Sequence, residues 1–319
     1  MQAWLLMLRT VNQMDRTNEI THMADAAAFE DTDRLKTYLA QQLSRGRLAL
    51  VLGAGISTGF GLPNWDELTS EVARDCGFSP PPGLSNEDIG DGLLKHCGYD
   101  EAKFAATVRR ALYGTPRFSM HDLVGKPLLV ALGALAMASL RGSVSKILSF
   151  NFDDLLEKYL GYHGYVAESV GKMPYWASAA DVRVFHLHGI LPSDPDGAAS
   201  PIVFTQSQYD RIIGKSECVW RRVALDLICS NTCLFIGLSG RDNNLKSILT
   251  EACPVHPATV RGDAFWGVHF SDSVSDPMRD TWHTRGVSQI TVSSYADVPT
   301  YLLDVCQRAA EACRAHRGL

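Results

Sequence analysis

Residues Leu48-Ala49-Leu50-Val51-Leu52 form an unbroken apolar run that stops at Gly53, and this run constrains the fold more than any other part of the 319-residue chain. A strand with one wet face alternates apolar and polar residues, whereas a strand without alternation is covered on both faces, as in a parallel sheet. Further strand-like runs are expected at Lys146–Phe150, Arg183–Leu187, Ile202–Thr205, Thr232–Leu238, Phe265–Phe270 and Val287–Val292. Helical spacing separates many of them, at Asp153–Leu160, Cys218–Cys229 and Asn244–Ala252. A helix carrying Leu35, Tyr38, Leu39 and Leu43 leads into the first strand, and another, Tyr301–His316, follows the last. The alternation predicts an α/β fold with a doubly wound, Rossmann-like parallel sheet.

The interval 77–142 breaks this pattern. After Pro80-Pro81-Pro82-Gly83 come helical stretches and no convincing strand, which predicts a smaller α-helical insertion subdomain within a Rossmann-like domain built from 31–76 and 143–319. Phe104, Val108 and Leu112 mark one apolar stripe in it, which serves either the subdomain core or an assembly surface. The longest apolar run, Pro127–Leu140, contains Gly133 and closes at Arg141, short of the roughly 20 residues of a membrane span, so a buried helix is expected there. Residues 1–30, with Met1, Met7, Met14 and Met23 and weak periodicity, read as a poorly ordered extension.

With 30 basic against 35 acidic residues and a net charge of −5, the chain lacks the electrostatic footprint of a direct nucleic-acid binder. Its eight cysteines form no Cys-x-x-Cys pair, which argues against a zinc ribbon or other metal site. The apolar start Met1–Met7 meets Arg9 with no cleavage-like site, so reduced thiols and a cytoplasmic location are expected, away from any membrane.

Chemistry-bearing residues gather where strands end. Gly53-Ala54-Gly55-Ile56-Ser57-Thr58-Gly59-Phe60-Gly61-Leu62-Pro63 follows the first strand, and glycines there let the backbone approach a pyrophosphate or serve only a structural turn. Asn151 and Asp153 follow the second run; Asp153 and Asp154 are equally suited to capping the next helix. His186 and His188 share a face if their segment is a strand, and His188, beside Gly189, is placed to act as a general base, to sit in the core or to bind a metal, though no carboxylate or cysteine stands at ligand spacing. Gly237-Leu238-Ser239 ends another strand; Ser239 suits a ribose or phosphate, while Asp242 and Asn243 suit either a ligand or a helix cap.

Taken in order, these elements resemble the sirtuin superfamily: Gly53-Ala54-Gly55-Ile56-Ser57 with Gly61-Leu62-Pro63, Asn151-Phe152-Asp153, His188-Gly189 and Gly237-Leu238-Ser239. The departures are informative. The two Cys-x-x-Cys pairs of the family's protein deacylases have no counterpart after Gly189, and their Pro-Asp-Phe-Arg becomes Pro63-Asn64-Trp65-Asp66, which loses the basic residue. Asn151 to Glu157, Ile202 to Thr205 with Tyr209, and Gly237 to Leu245 are similar instead to the sirtuin-like domains of bacterial anti-phage proteins, which hydrolyse NAD.

The resemblance implies a sirtuin-like fold without a zinc ribbon, and an NAD glycohydrolase giving nicotinamide and ADP-ribose, with NAD as substrate and no metal. It implies Asn151, His188 and Asp153 as catalytic residues. Gly53, Ala54, Gly55 and Ser57 would take the pyrophosphate, Trp65 would cover nicotinamide or pack in the core, Ser239 would hold the adenosine ribose, and Gly237 and Asp242 would also contact the cofactor. His186 is expected to be buried against the sheet and Tyr209 to be packing. The alternatives are a non-catalytic NAD or ADP-ribose module and a zinc-free deacylase. Because the sequence stops soon after its last helical pattern, control is expected from homo-oligomerisation or from a partner protein such as a helicase-like ATPase or another defence component.

Overall fold

The computed structural model describes residue 29 and residues 31–317, apart from 115–119, 138, 140, 145, 177, 213–217, 256–264 and 274–277. Seven strands form one sheet: β1 (Leu48–Leu52), β2 (Lys146–Ser149), β3 (Ala167–Val170), β4 (Val182–His186), β5 (Thr232–Ile236), β6 (Gly267–Ser271) and β7 (Val287–Thr291). Every pairing is parallel and the order is β3-β4-β2-β1-β5-β6-β7. The chain winds one way from β1 and then restarts on β1's other side with β5, so a switch point lies between them, where open α/β sheets bind ligands.

The unalternating first strand is explained by two cores. Leu48, Leu50 and Leu52 enter one apolar cluster, and Ala49 and Val51 enter the other on the opposite face. The first core is covered by α1 (Thr32–Ser44) and the long α12 (Val298–Arg317), which pack on each other, while the short α11 (Arg279–His283) packs on β7. The second is covered by α9 (Val219–Ser230) and α10 (Asn243–Ala252). Residues 1–28 and 30 of the expected extension lie outside the described residues, while Phe29 is buried against Tyr38 and Phe265.

Between β1 and β2 the chain is helical: α2 (Trp65–Cys76), α3 (Asn86–His96), α4 (Glu101–Tyr113), α5 (Met120–Val124) and α6 (Pro127–Ala136). Asn64 starts α2 with a reciprocal capping box to Glu67, and Ser85 and Asp100 cap α3 and α4. The Phe104, Val108 and Leu112 stripe is buried, so it packs the interior and offers no surface for assembly. Helix α6 is the buried helix expected of the Pro127 run; it lies against α12 and α7 (Leu155–Tyr162).

Two strand expectations are corrected. Ile202–Thr205 is buried and extended but joins no strand, because its amides are taken elsewhere: Val203 N donates to His188 O, and Phe204 N and Thr205 N to Gln208 Oε1, just inside α8 (Gln206–Ile212). Conversely β3, an edge strand reading Ala167-Glu168-Ser169-Val170, is too short and too polar to stand out as an apolar run.

Candidate active site

Parallel register brings the carboxyl ends of β1, β2, β4 and β5 to one edge of the sheet, and there a cleft of about 660 Å³ opens. Gly53, Ala54 and Gly55 line it from β1, Phe150 and Asn151 from β2, His188 from β4, and Gly237 to Asn244 from β5. The helical stretch between β1 and β2 closes it from outside with Asn64, Trp65, Asp66, Ser85, Asn86 and Glu87.

The glycines answer first to each other. The loops after β1 and β5 touch, with Gly53 N donating to Ile236 O and Gly55 N to Gly237 O. A Cβ on Gly53 would lie 2.5 Å from Gly237 O, and one on Gly237, at φ +73°, would lie 2.7 Å from both Gly53 O and Ile56 N. The backbone contact that makes the floor of the cleft therefore excludes side chains at these positions.

Ser57 and Asp153 do not line the cleft but lie buried beneath it. Ser57 Oγ donates to Asp153 Oδ2 at 2.7 Å, and Leu155 N donates to Asp153 Oδ1 at 3.2 Å. Asn151 Nδ2 donates to Gly53 O and to Ser57 Oγ, at 3.1 and 3.3 Å. Both of its amide hydrogens are thus directed into the protein, and Asn151 Oδ1 is left buried with no partner among the described residues. Burial pushes the Asp153 carboxyl up to about 6, against the lowering effect of the Ser57 and Leu155 hydrogen bonds. At neutral pH it is an acceptor, which directs the Ser57 proton downward and so sets the orientation of Asn151. Asp154, despite its position before α7, makes no side-chain cap; Ser193 N donates to it instead.

The two histidines, two residues apart, hold opposite protonation states. β4 ends at His186, so the expected shared strand face does not extend to His188. His186 is buried with ring nitrogens 3.0 Å from Asn151 O and 2.6 Å from Glu157 Oε1, and as both partners are acceptors the ring carries two protons. Burial works against that charge, but Glu157 outweighs it and the pKa is raised. His188 instead meets the Phe150 carbonyl with one nitrogen and receives Asn244 Nδ2 at Nε2, at 2.9 Å. Burial lowers its pKa despite Asp242, whose Oδ2 lies 3.9 Å from Nε2, and Glu87, so His188 is a neutral imidazole facing the cleft.

The remaining expected residues divide. Trp65 is half-buried, borders the cleft and packs 4.6 Å from the Phe204 ring, so lid and core are one position. Ser239 is exposed on the rim and Asp242 caps α10 through Asn244 N and Leu245 N while its other oxygen faces His188. Tyr209 packs on the second core and also borders the cleft. Asn244, Glu87 and Arg241 were not singled out by the sequence. A polar residue in the first turn of a helix reads as solvated, and Glu87 arrives from an insertion whose docking no motif specifies.

Part of the chain is similar to known proteins. Residues 145–290 match the model of the SIR2-like domain, a stretch holding Asn151, Asp153, His188 and Gly237 to Asn244 but not the glycine loop. An NAD(+) hydrolase, ThsA of Enterococcus faecium, is 23% identical over 215 residues, which is 66% of this chain. The matched chain spans 41% of that hydrolase's length. A crystal structure titled as a SIR2 homolog in complex with NAD is 14% identical and superposes with a TM-score of 0.47, covering 86% of this chain and 94% of that one.

Proposed function

We propose that this protein is an NAD glycohydrolase, cleaving the bond between nicotinamide and ribose to release nicotinamide and ADP-ribose. The observation that carries this reading is the unpartnered Asn151 Oδ1, oriented from beneath by Ser57 and Asp153 on the floor of the cleft that neutral His188 also faces. A buried acceptor without a donor is costly unless a ligand supplies one, and ribose hydroxyls or a water do so.

The chemistry asks little of an acid. The pyridinium nitrogen takes the bonding electron pair and nicotinamide leaves neutral, while positive charge develops at C1′. Glu87 and Asp242 place negative charge at the His188 end of the cleft, where it favours that cation. A water held by Asn151 Oδ1 attacks C1′, and its proton passes to His188 Nε2 as Asn244 yields the position. Trp65 covers the departing ring. Asp153 and Ser57 act as positioning residues that reach the reaction through Asn151, and Ser239 takes the adenosine ribose.

The similarity to an NAD(+) hydrolase supports the reaction class. The family resemblance extends the reading to NAD depletion in bacterial anti-phage defence, in the cytoplasm, with activity controlled by self-assembly or a partner protein. The test is nicotinamide release from NAD by the purified chain, alone and with candidate activators, beside Asn151→Ala and His188→Ala. Loss in both variants is expected; release that survives both overturns the assignment.

A further inference from the structure

A dinucleotide brings two phosphate charges into the cleft, and four amides of the glycine loop that would receive them are already hydrogen-bonded within the protein. The amides of Gly53, Gly55, Ile56 and Ser57 donate to Ile236, Gly237, Gly53 and Ala54 carbonyls. On the facing loop, Gly237 N donates to Tyr295 Oη, Arg241 N to Ser239 Oγ, and Asn244 N and Leu245 N to Asp242. The Ser57 hydroxyl is likewise committed, to Asp153.

Side-chain charge in the cleft is mostly of the wrong sign. Asp66, Glu87 and Asp242 line it, and the basic residue of the family's Pro-Asp-Phe-Arg is Asp66 here. Among the described lining residues Arg241 is the only lysine or arginine, and its guanidinium, exposed on the rim, has no hydrogen-bond or ion-pair partner among them. An unpaired guanidinium beside a ligand cleft is a ready fork for phosphate oxygens, and Arg binds them bidentately.

We propose that Arg241 is the residue that binds the diphosphate of the dinucleotide, taking on the charge recognition that the glycine loop and position 66 do not supply. This rests on the NAD reading for the identity of the ligand, though not on hydrolysis.

The experiment is calorimetric titration of the full chain and of Arg241→Ala and Arg241→Lys with ADP-ribose, NAD, NADP and adenosine at low and high salt. Because the guanidinium is exposed and has no hydrogen-bond or ion-pair partner among the described residues, both variants are expected to keep the parent's thermal stability. Arg241→Ala is expected to weaken ADP-ribose, NAD and NADP alike by at least about tenfold, Arg241→Lys by less, and adenosine not at all. The weakening is expected to shrink at high salt, where exposed charges are screened. Unchanged ADP-ribose affinity in Arg241→Ala, with the parent binding, overturns the role of Arg241 alone, and so does a loss confined to NADP, which moves the contact to the 2′-phosphate. A parent that binds none of the dinucleotides overturns both this assignment and the NAD reading. A parent that binds them without releasing nicotinamide, and loses binding in Arg241→Ala, supports Arg241 while removing hydrolysis.

Discussion

Replacing Asp153 by Asn is expected to separate stability from activity, because the carboxylate that orients Asn151 is itself held in an unfavourable place. Its pKa rises from an ordinary 3.8 to about 6, chiefly by burial. A gap of about 2 pH units at roughly 1.36 kcal/mol each corresponds to about 3 kcal/mol. The sign follows from the direction. The folded protein binds this proton more tightly than the unfolded chain, so the penalty for burying the anion is fully present above about pH 6. It fades as pH falls toward 4. An amide carries no such penalty at any pH. Denaturant unfolding of parent and Asp153→Asn from pH 4 to 8 should therefore show a stability difference that shifts in the variant's favour with rising pH, by about 3 kcal/mol over the range. Glu157 and His186, which face Asp153, are present in both proteins and cancel to first order. Nicotinamide release should fall in the same variant, since an amide offers Ser57 no charged acceptor and Asn151 loses its fixed orientation. A stability difference that stays flat with pH refutes the buried-anion account, and full activity refutes the positioning role.

Two further substitutions probe the loops around the cleft. Gly237→Ala places a methyl against the Gly53 carbonyl and Ile56 amide in a left-handed conformation, and should destabilise the fold by about 2–4 kcal/mol, read from the shift of the denaturant midpoint. Asn244→Asp puts a second carboxylate beside His188 Nε2; it should raise the His188 pKa by about one unit or more and move the acid limb of the activity profile to higher pH, which NMR titration of the ring checks independently. An unmoved ring titration would refute the assigned Asn244 contact.

Much of the fold was legible because its signals are local. Leu48–Leu52 reads as a strand covered on both faces whatever surrounds it, and the run at Thr232 follows the same logic. Where local signal was ambiguous, reading failed: Ile202–Thr205 has strand composition but its amides are taken by Gln208 and His188, and β3 has strand geometry without strand composition. The stripe at Phe104 shows the same limit, since periodicity marks an apolar face without saying what covers it.

The sequence alone determined which residues stand at the ends of parallel strands, and hence that Gly53, Asn151, His188 and Gly237 meet at one edge. Only the tertiary structure decided what each does there. Ser57 and Asp153, 96 positions apart, leave the cleft for each other, and two histidines separated by one residue are pushed in opposite directions because Glu157 outweighs burial at one and burial prevails at the other. Hydrogen-bond direction and protonation depend on which partners burial brings within about 3 Å, and such partners come from distant parts of the chain.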